Sequence, residues 1–176
     1  REINIIVTPE RVRWAILDLE PYKSPGPDGI YPVLLQKGLD ILMPLLVRLF
    51  RASLGYGYIP KPWQAVRVAF IPKPGKESYF TSKAYRPISL SSFLLKTLEK
   101  LIDRRLKEAY LPSHPLHVRQ HAYQSGKSTE SAMHEFALQA ERALAHREYA
   151  LACFLDIEGA FNNCQFDDIK EALIQR

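Results

Sequence analysis

The sequence predicts an α/β (α+β) fold, helices gathered around a few short strands, and three observations carry that expectation. Apolar residues recur at helical spacing in several stretches; a run rich in Val, Ile and Phe, Ala65 to Ile71, leads into a Pro/Gly turn; and Ala150 to Leu155 run straight into one acid, Asp156. The last run reads as a strand covered on both faces, its terminal carboxylate offered to solvent at the sheet edge.

Thr8 followed by Pro9 opens a helix, because the hydroxyl can cap while proline at the first helical position gives up no needed donor. Val12, Ala15, Ile16 and Leu19 form its apolar face. The run from Lys23 to Gly29, KSPGPDG, holds two prolines and two glycines and reads as a rigid loop, since each proline fixes φ and each glycine permits a tight turn. Leu34, Leu35, Leu39, Leu42, Leu46, Leu49 and Phe50 then mark one or two helices, interrupted near Gly38 or Pro44 and ended by Gly55 and Gly57.

Ala65 to Ile71 reads as a strand that leaves through Pro72, Lys73, Pro74, Gly75 and Lys76 and returns as Tyr85 to Leu90, with Pro87 marking an edge or a strand end. The pair is a hairpin with a basic tip. Ser91 or Ser92 caps the next helix, in which Leu94, Leu98, Leu101, Ile102, Leu106 and Ala109 share a face. Lys96, Lys100, Arg104 and Lys107 lie largely opposite, the pattern of a helix beside a basic groove and equally of any soluble surface helix. Pro112 and Pro115 break the chain. A long helix starts at Ser128 or Thr129 with Ala132, Met133, Phe136, Ala137, Ala140 and Leu144, small enough to pack closely. After Asp156 a last helix carries Phe166, Ile169 and Leu173 on one face.

The 176 residues are enough for a buried core. The chain opens on Arg1 and closes at Arg176 inside an amphipathic pattern, so a piece of a longer protein is expected. No apolar run nears the roughly 18 residues of a membrane span, the first residues show no signal-peptide pattern, and two cysteines, Cys153 and Cys164, make a disulfide framework unexpected. Residues 61–119 carry 12 Lys and Arg against 4 Asp and Glu, whereas residues 120–176 carry 5 against 9. A basic middle beside an acidic end suits a surface that holds polyanions near a metal-binding carboxylate.

Three motifs fail on inspection. Gly126, Lys127 and Ser128 suggest a phosphate loop, but His121 stands where the first glycine is required. His114, His117 and His121 have no cysteine nearby and read as exposed loop histidines. Asp167 and Asp168, following Phe166, read as a helix start with acids at the positive dipole end.

Six blocks in order resemble the reverse transcriptase of non-LTR (LINE-type) retrotransposons. They are Lys23 to Ile30 (KSPGPDGI), Trp63 to Lys76 (WQAVRVAFIPKPGK), Tyr85 to Leu90 (YRPISL), Lys96 with Glu99 and Arg105-Leu106, Gln120 to Thr129 (QHAYQSGKST), and Phe154 to Phe161 (FLDIEGAF). Together they cover roughly residues 8–170, and the wording is most similar to insect elements of the ribosomal-DNA-inserting and jockey-related groups.

That resemblance implies the fingers and partial palm of a right-hand polymerase with an N-terminal helical extension. Residues 1–60 would be the extension with a template-contacting loop, 61–148 the fingers, and 149–176 the start of the palm. Asp156 matches the first catalytic aspartate and the Ile157 backbone carbonyl a second metal contact, with Mg²⁺ (or Mn²⁺) as the ion. Lys73 and Arg86 match cations that grip the incoming triphosphate, and Phe161 matches the aromatic gate that rejects a ribose 2′-hydroxyl. Lys23, Pro25, Gly26, Asp28 and Gly29, with Gln120 and Lys127, match template contacts.

The implied partners are an RNA template, a DNA primer or target, deoxynucleoside triphosphates, the rest of the polymerase chain and an upstream endonuclease domain, with no membrane. The implied location is the nucleus, with cytoplasmic passage as a ribonucleoprotein. Asn162 departs from the aspartate common after the gate, and Ala122 stands where glycine is frequent. The aromatic-x-Asp-Asp hairpin that supplies the remaining acids in the family is absent from these residues, so the chain by itself is expected to be silent. A non-enzymatic relic or an adapted nucleic-acid-binding module is the alternative. An RNA-dependent RNA polymerase shares the palm but commonly has a polar residue at the gate, against Phe161.

Overall fold

A computed structural model describes residues 1–160 and 163–175. They form two compact units, Arg1–Tyr110 and Leu111–Arg176, a division that falls inside the segment 61–148.

The first unit is helical with one hairpin. Its elements are α1 (Glu2–Ile6), α2 (Pro9–Leu17), α3 (Pro32–Lys37), α4 (Leu39–Tyr56), α5 (Lys61–Gln64), β1 (Arg67–Pro72), β2 (Tyr85–Leu90) and α6 (Phe93–Arg105), the last continued by a π-helical turn over Leu106–Tyr110. The Thr8 hydroxyl caps α2 by accepting from the Arg11 amide, and Ser92 caps α6 by accepting from the Leu94 amide. The break between α3 and α4 falls at Gly38; Pro44 is accommodated inside α4, which ends on Gly57 in the left-handed region.

Helix α2 packs on both α4 and α6. Its stripe of Val12, Ala15 and Ile16 is fully buried and belongs to one core with Phe50, Trp63, Phe93, Leu98 and Leu101. Leu34, expected on the apolar face, is exposed, whereas its neighbour Leu35, expected there too, is buried. Helix α1 and the four-residue α5 carry too little periodicity to be read in advance. Polar ties close the helix ends: Gln36 donates to the carbonyls of Ile16 and Leu19, and Arg51 donates to that of Val7. At the surface Arg105 makes a two-pronged bond to Glu2, and Glu108 accepts from both Arg104 and Arg11.

The second unit holds α7 (Thr129–Ala145) and α8 (Phe166–Ile174). A capping box between Ser128 and Ser131 opens α7, and Asp167 and Asp168 occupy the first turn of α8 as expected. The expected buried strand over Ala150 to Leu155 is not formed. That run has no regular secondary structure, and Leu151, Phe154 and Leu155 are almost wholly exposed. A strand exists only by pairing, and among the described residues the sheet consists of β1 and β2 alone. The same lack of a partner leaves Met133 and Phe136 of α7 exposed, against the close packing expected there; the Phe136 ring lies against Phe154, ring centroids 5.7 Å apart. Among the described residues no helix is long and apolar enough to cross a membrane.

Two outcomes test this packing. Trp63→Ala should cost about 3–5 kcal/mol in urea unfolding, while Phe80→Ala, whose ring is fully exposed, should stay within about 0.5 kcal/mol. The Glu108 carboxyl is held below its ordinary value of 4.5 by the bond from Arg104, then that from Arg11. Its contribution is complete above that value and is lost as pH falls through the lowered folded value. Glu108→Gln should therefore flatten the acid limb of Tm against pH.

Candidate functional site

The hairpin places the first two candidates. Strands β1 and β2 pair antiparallel with Ile71 opposite Arg86 and Phe70 opposite Pro87, and the Lys73 amide extends the ladder by donating to Ala84 at 2.8 Å. Side chains alternate faces along a strand, and directly opposite residues share one. Lys73 and Arg86 therefore sit diagonally on the same face. Arg67, six residues before Lys73, lies on that face too; its even spacing carried the signal, which sequence reasoning passed over. Among the described residues none of these three cations has a carboxylate partner. The tip closes on itself, with the Tyr79 hydroxyl donating to the Lys73 carbonyl and the Tyr79 ring edge-on to Tyr85.

The 23–29 loop lies in the same unit. Pro25 and Gly26 are buried, Lys23 and Gly29 are exposed, and Asp28 lies between. A side chain at Gly26 would put its Cβ 2.7 Å from the Ser91 carbonyl carbon, so only glycine lets the loop meet the backbone between β2 and α6. Asp28 holds the turn by accepting from the Ile30 amide, and Gly29 takes φ +68°. Lys23 pairs with Glu20.

In the second unit the segment before α7 is a closed knot. The Lys127 ammonium donates to the carbonyls of Val118 and Gln120, Gln124 donates to that of His117, and Gln120 donates to that of Ala122. Tyr123 and Gly126 both turn at positive φ. His121, expected to be an exposed loop histidine, is instead held between Ser131 at 2.8 Å and Glu135 at 2.9 Å, its side chain 16% exposed. Nothing in the local pattern pointed to this, since the partners lie ten and fourteen residues away.

Asp156 and Ile157 lie in the exposed run after α7, and Phe161 falls outside the described residues. A hard divalent cation takes about six oxygen ligands. Asp156 offers one carboxylate, and among the described residues no cluster of three His, Cys, Asp or Glu could hold a metal ion. These residues do not by themselves make a divalent-ion site.

Helices with one two-stranded hairpin, on which Lys73 and Arg86 share a face, define a mixed helix-and-strand chain. Residues 71–175 match the family described as reverse transcriptase (RNA-dependent DNA polymerase), more than half of the chain, and the chain belongs to that family. It is similar to the "Probable RNA-directed DNA polymerase from transposon BS" of Drosophila melanogaster, 33% identical over 161 residues, covering 91% of this chain and 18% of that protein. It is equally similar, 33% over 156 residues, to the RNA-directed DNA polymerase from mobile element jockey of Drosophila funebris, covering 89% and 17%. The Pol polyprotein of retrotransposable element R2 from Popillia japonica is 28% identical over 165 residues, covering 93% and 21%. The chain thus spans about a fifth of the length of these relatives.

The close approach at Gly26 is directly testable. Gly26→Ala should destabilise the first unit by about 1–3 kcal/mol, as overpacking does, measured by urea unfolding. Gly75→Ala, where nothing lies within 4 Å but φ is +73°, should cost about 1–2 kcal/mol from backbone strain alone.

Proposed function

We propose that this chain is the nucleotide- and template-holding part of a non-LTR retrotransposon reverse transcriptase, which adds deoxynucleotides to a DNA primer on an RNA template. One observation carries the reading: in a chain of the reverse transcriptase family, the hairpin register sets Lys73 and Arg86 on one face, with no carboxylate partner among the described residues. In this reading residues 61–148 serve as polymerase fingers, 149–176 begin the palm, and 1–60 are the N-terminal extension.

A triphosphate needs several cations that no protein carboxylate has neutralised. Arg86 offers a two-pronged fork to phosphate oxygens and Lys73 a compact charge, so the pair holds the leaving phosphates at two points. Lys23 and Gly29 face the template strand while the buried Pro25 and Gly26 and the turn-holding Asp28 fix the loop's shape. Gln120 and Lys127 act from the knot before α7. Phe161 is the gate whose ring excludes a ribose 2′-hydroxyl. Asp156 and the Ile157 carbonyl contribute to a Mg²⁺ or Mn²⁺ site only with ligands beyond the described residues. The polymerase works on target DNA in the nucleus, beside an endonuclease domain carried upstream.

Primer extension on an RNA template tests this. In the full-length protein Arg86→Ala should raise the apparent KM for deoxynucleotide about 10- to 100-fold, the loss of one charge-assisted pair at about 1.5–3 kcal/mol, with primer–template affinity unchanged. The 176-residue chain alone should give no sustained incorporation. An unchanged KM in the variant would remove the triphosphate role.

A further inference from the structure

All the charge carried by the two hairpin strands stands on one face. Arg67, Ala69 and Ile71 of β1 lie opposite Leu90, Ile88 and Arg86 of β2, and Lys73 continues the same side. The other face, Val68, Phe70 and Pro72 with Tyr85, Pro87 and Ser89, holds neither cation nor carboxylate. Lys73 lies two positions beyond Ile71, the residue opposite Arg86, so the two cations can grip one triphosphate. Arg67 cannot join them: it stands four positions before Ile71, about 13 Å from the level of Arg86 and about 20 Å from Lys73 at the rise of a strand. Side chains stand roughly upright from a sheet, and the row of Ala69 and Ile88 separates the two arginines. Arg67 is exposed and has no carboxylate partner among the described residues, so its guanidinium is offered to a separate anion.

The place of Arg67 along the hairpin narrows what that anion is. Its cross-strand neighbour Leu90 is followed at once by Ser91, and Ser91 is where the 23–29 loop lands, a Cβ at Gly26 falling 2.7 Å from the Ser91 carbonyl carbon. Arg67 is therefore at the root of the hairpin, beside that loop, while Lys73 is at the tip end. In the proposed reading the loop touches the template and the tip end holds the triphosphate. The primer stops at the 3′-hydroxyl that attacks the incoming nucleotide, and the strand that continues past that nucleotide is the template. A polynucleotide brings phosphates at regular intervals with sugars and bases between them, and the hairpin face answers with cations at its two ends and the exposed Ile71 and Ile88 between. The planar fork of an arginine suits a phosphate at the root.

We propose that Arg67 is a template-backbone contact: its guanidinium holds a phosphate of the RNA template where that strand passes between the incoming nucleotide and the 23–29 loop. The assignment rests on the proposed function. It adds a residue that positions the template strand and leaves the triphosphate to Lys73 and Arg86. A phosphate contact of this kind fixes the position of the strand and carries no sequence preference.

The test uses the full-length protein and two primer–templates. In one the RNA template runs about ten nucleotides past the primer terminus, within the span of single-strand binding grooves; in the other it stops one nucleotide past. Arg67→Ala should lower affinity for the long template severalfold and reduce the slope of log affinity against log salt by about one, the signature of one lost phosphate contact. Affinity for the short template and the KM for deoxynucleotide at saturating template should not change. A merely structural role would weaken both templates alike. Arg67→Lys, which keeps the charge, should keep the salt slope. An unchanged slope in Arg67→Ala, an equal loss with the short template, or a rise in KM matching that of Arg86→Ala overturns the assignment. Should Arg86→Ala leave KM unchanged while Arg67→Ala behaves as expected, the triphosphate reading falls and the template contact stands.

Discussion

The hairpin that carries Lys73 and Arg86 depends on burial at its two roots. Both of its faces are open to solvent, with Phe70, Ile71, Val68 and Ile88 each at least two-fifths exposed. An isolated two-stranded hairpin is marginal in water, so this one cannot owe its place to its own side chains. It is anchored by Trp63 just before β1 and Phe93 just after β2, both buried in the core built on α2. Trp63 lies against Phe50 with ring centroids 5.9 Å apart, and Phe50 is fully buried. Burying rings of this size is worth several kcal/mol, more than any cross-strand pair in the hairpin can supply. The direction in which the cations point is thus decided in the helical core.

The 23–29 loop is fastened to the same joint. Gly26 meets the Ser91–Ser92 backbone where β2 hands over to α6, and Ser92 at once caps α6. Thr97, wholly buried one turn on, returns its hydroxyl to the Phe93 carbonyl at 2.7 Å. Gln36, reaching from α3 to the carbonyls of Ile16 and Leu19, holds the entry to the loop as Gly26 holds its middle. A loop with two prolines and two such fastenings has few conformations to lose on meeting a ligand, the condition under which weak contacts become useful.

What could be read from the sequence was what short-range chemistry decides. Thr8 with Pro9, Ser92 and Ser128 announced helix starts because a cap involves residues three apart or fewer, and the hairpin was legible because its turn residues lie between its strands. Ala150 to Leu155 misled for the opposite reason. An apolar run records that a segment wants to be buried, but not against what, and pairing is a property of two segments. The rigid loop at Gly26 was visible as two prolines and two glycines; its partner, Ser91, lies 65 positions on. His121 was hidden likewise, its bonds to Ser131 and Glu135 created by turns at Tyr123 and Gly126 whose φ values no local pattern specifies for a tyrosine.

The charge asymmetry of the chain changes meaning once the ion pairs are placed. By composition the basic excess of residues 61–119 spreads over hairpin and helix alike, and the α6 lysines and arginines looked like the border of a groove. In the structure α6 spends most of its charges internally: Lys100 on Asp18, Arg104 on Glu108, Arg105 on Glu2, and nearby Lys107 on Asp103, while Lys96 lies over the Phe93 ring and Lys100 and Arg104 over Trp14. Such exposed pairs add at most about 1 kcal/mol each to stability. Their larger effect is on the field, since a cation 3 Å from a carboxylate projects little potential beyond the Debye length of roughly 8–10 Å. Arg67, Lys73, Lys76 and Arg86 have no such partner among the described residues. The hairpin therefore keeps four cations that no carboxylate among the described residues neutralises. Most of the charge on α6 is spent inside the unit, while the element with the least core of its own keeps its cations unpaired among the described residues.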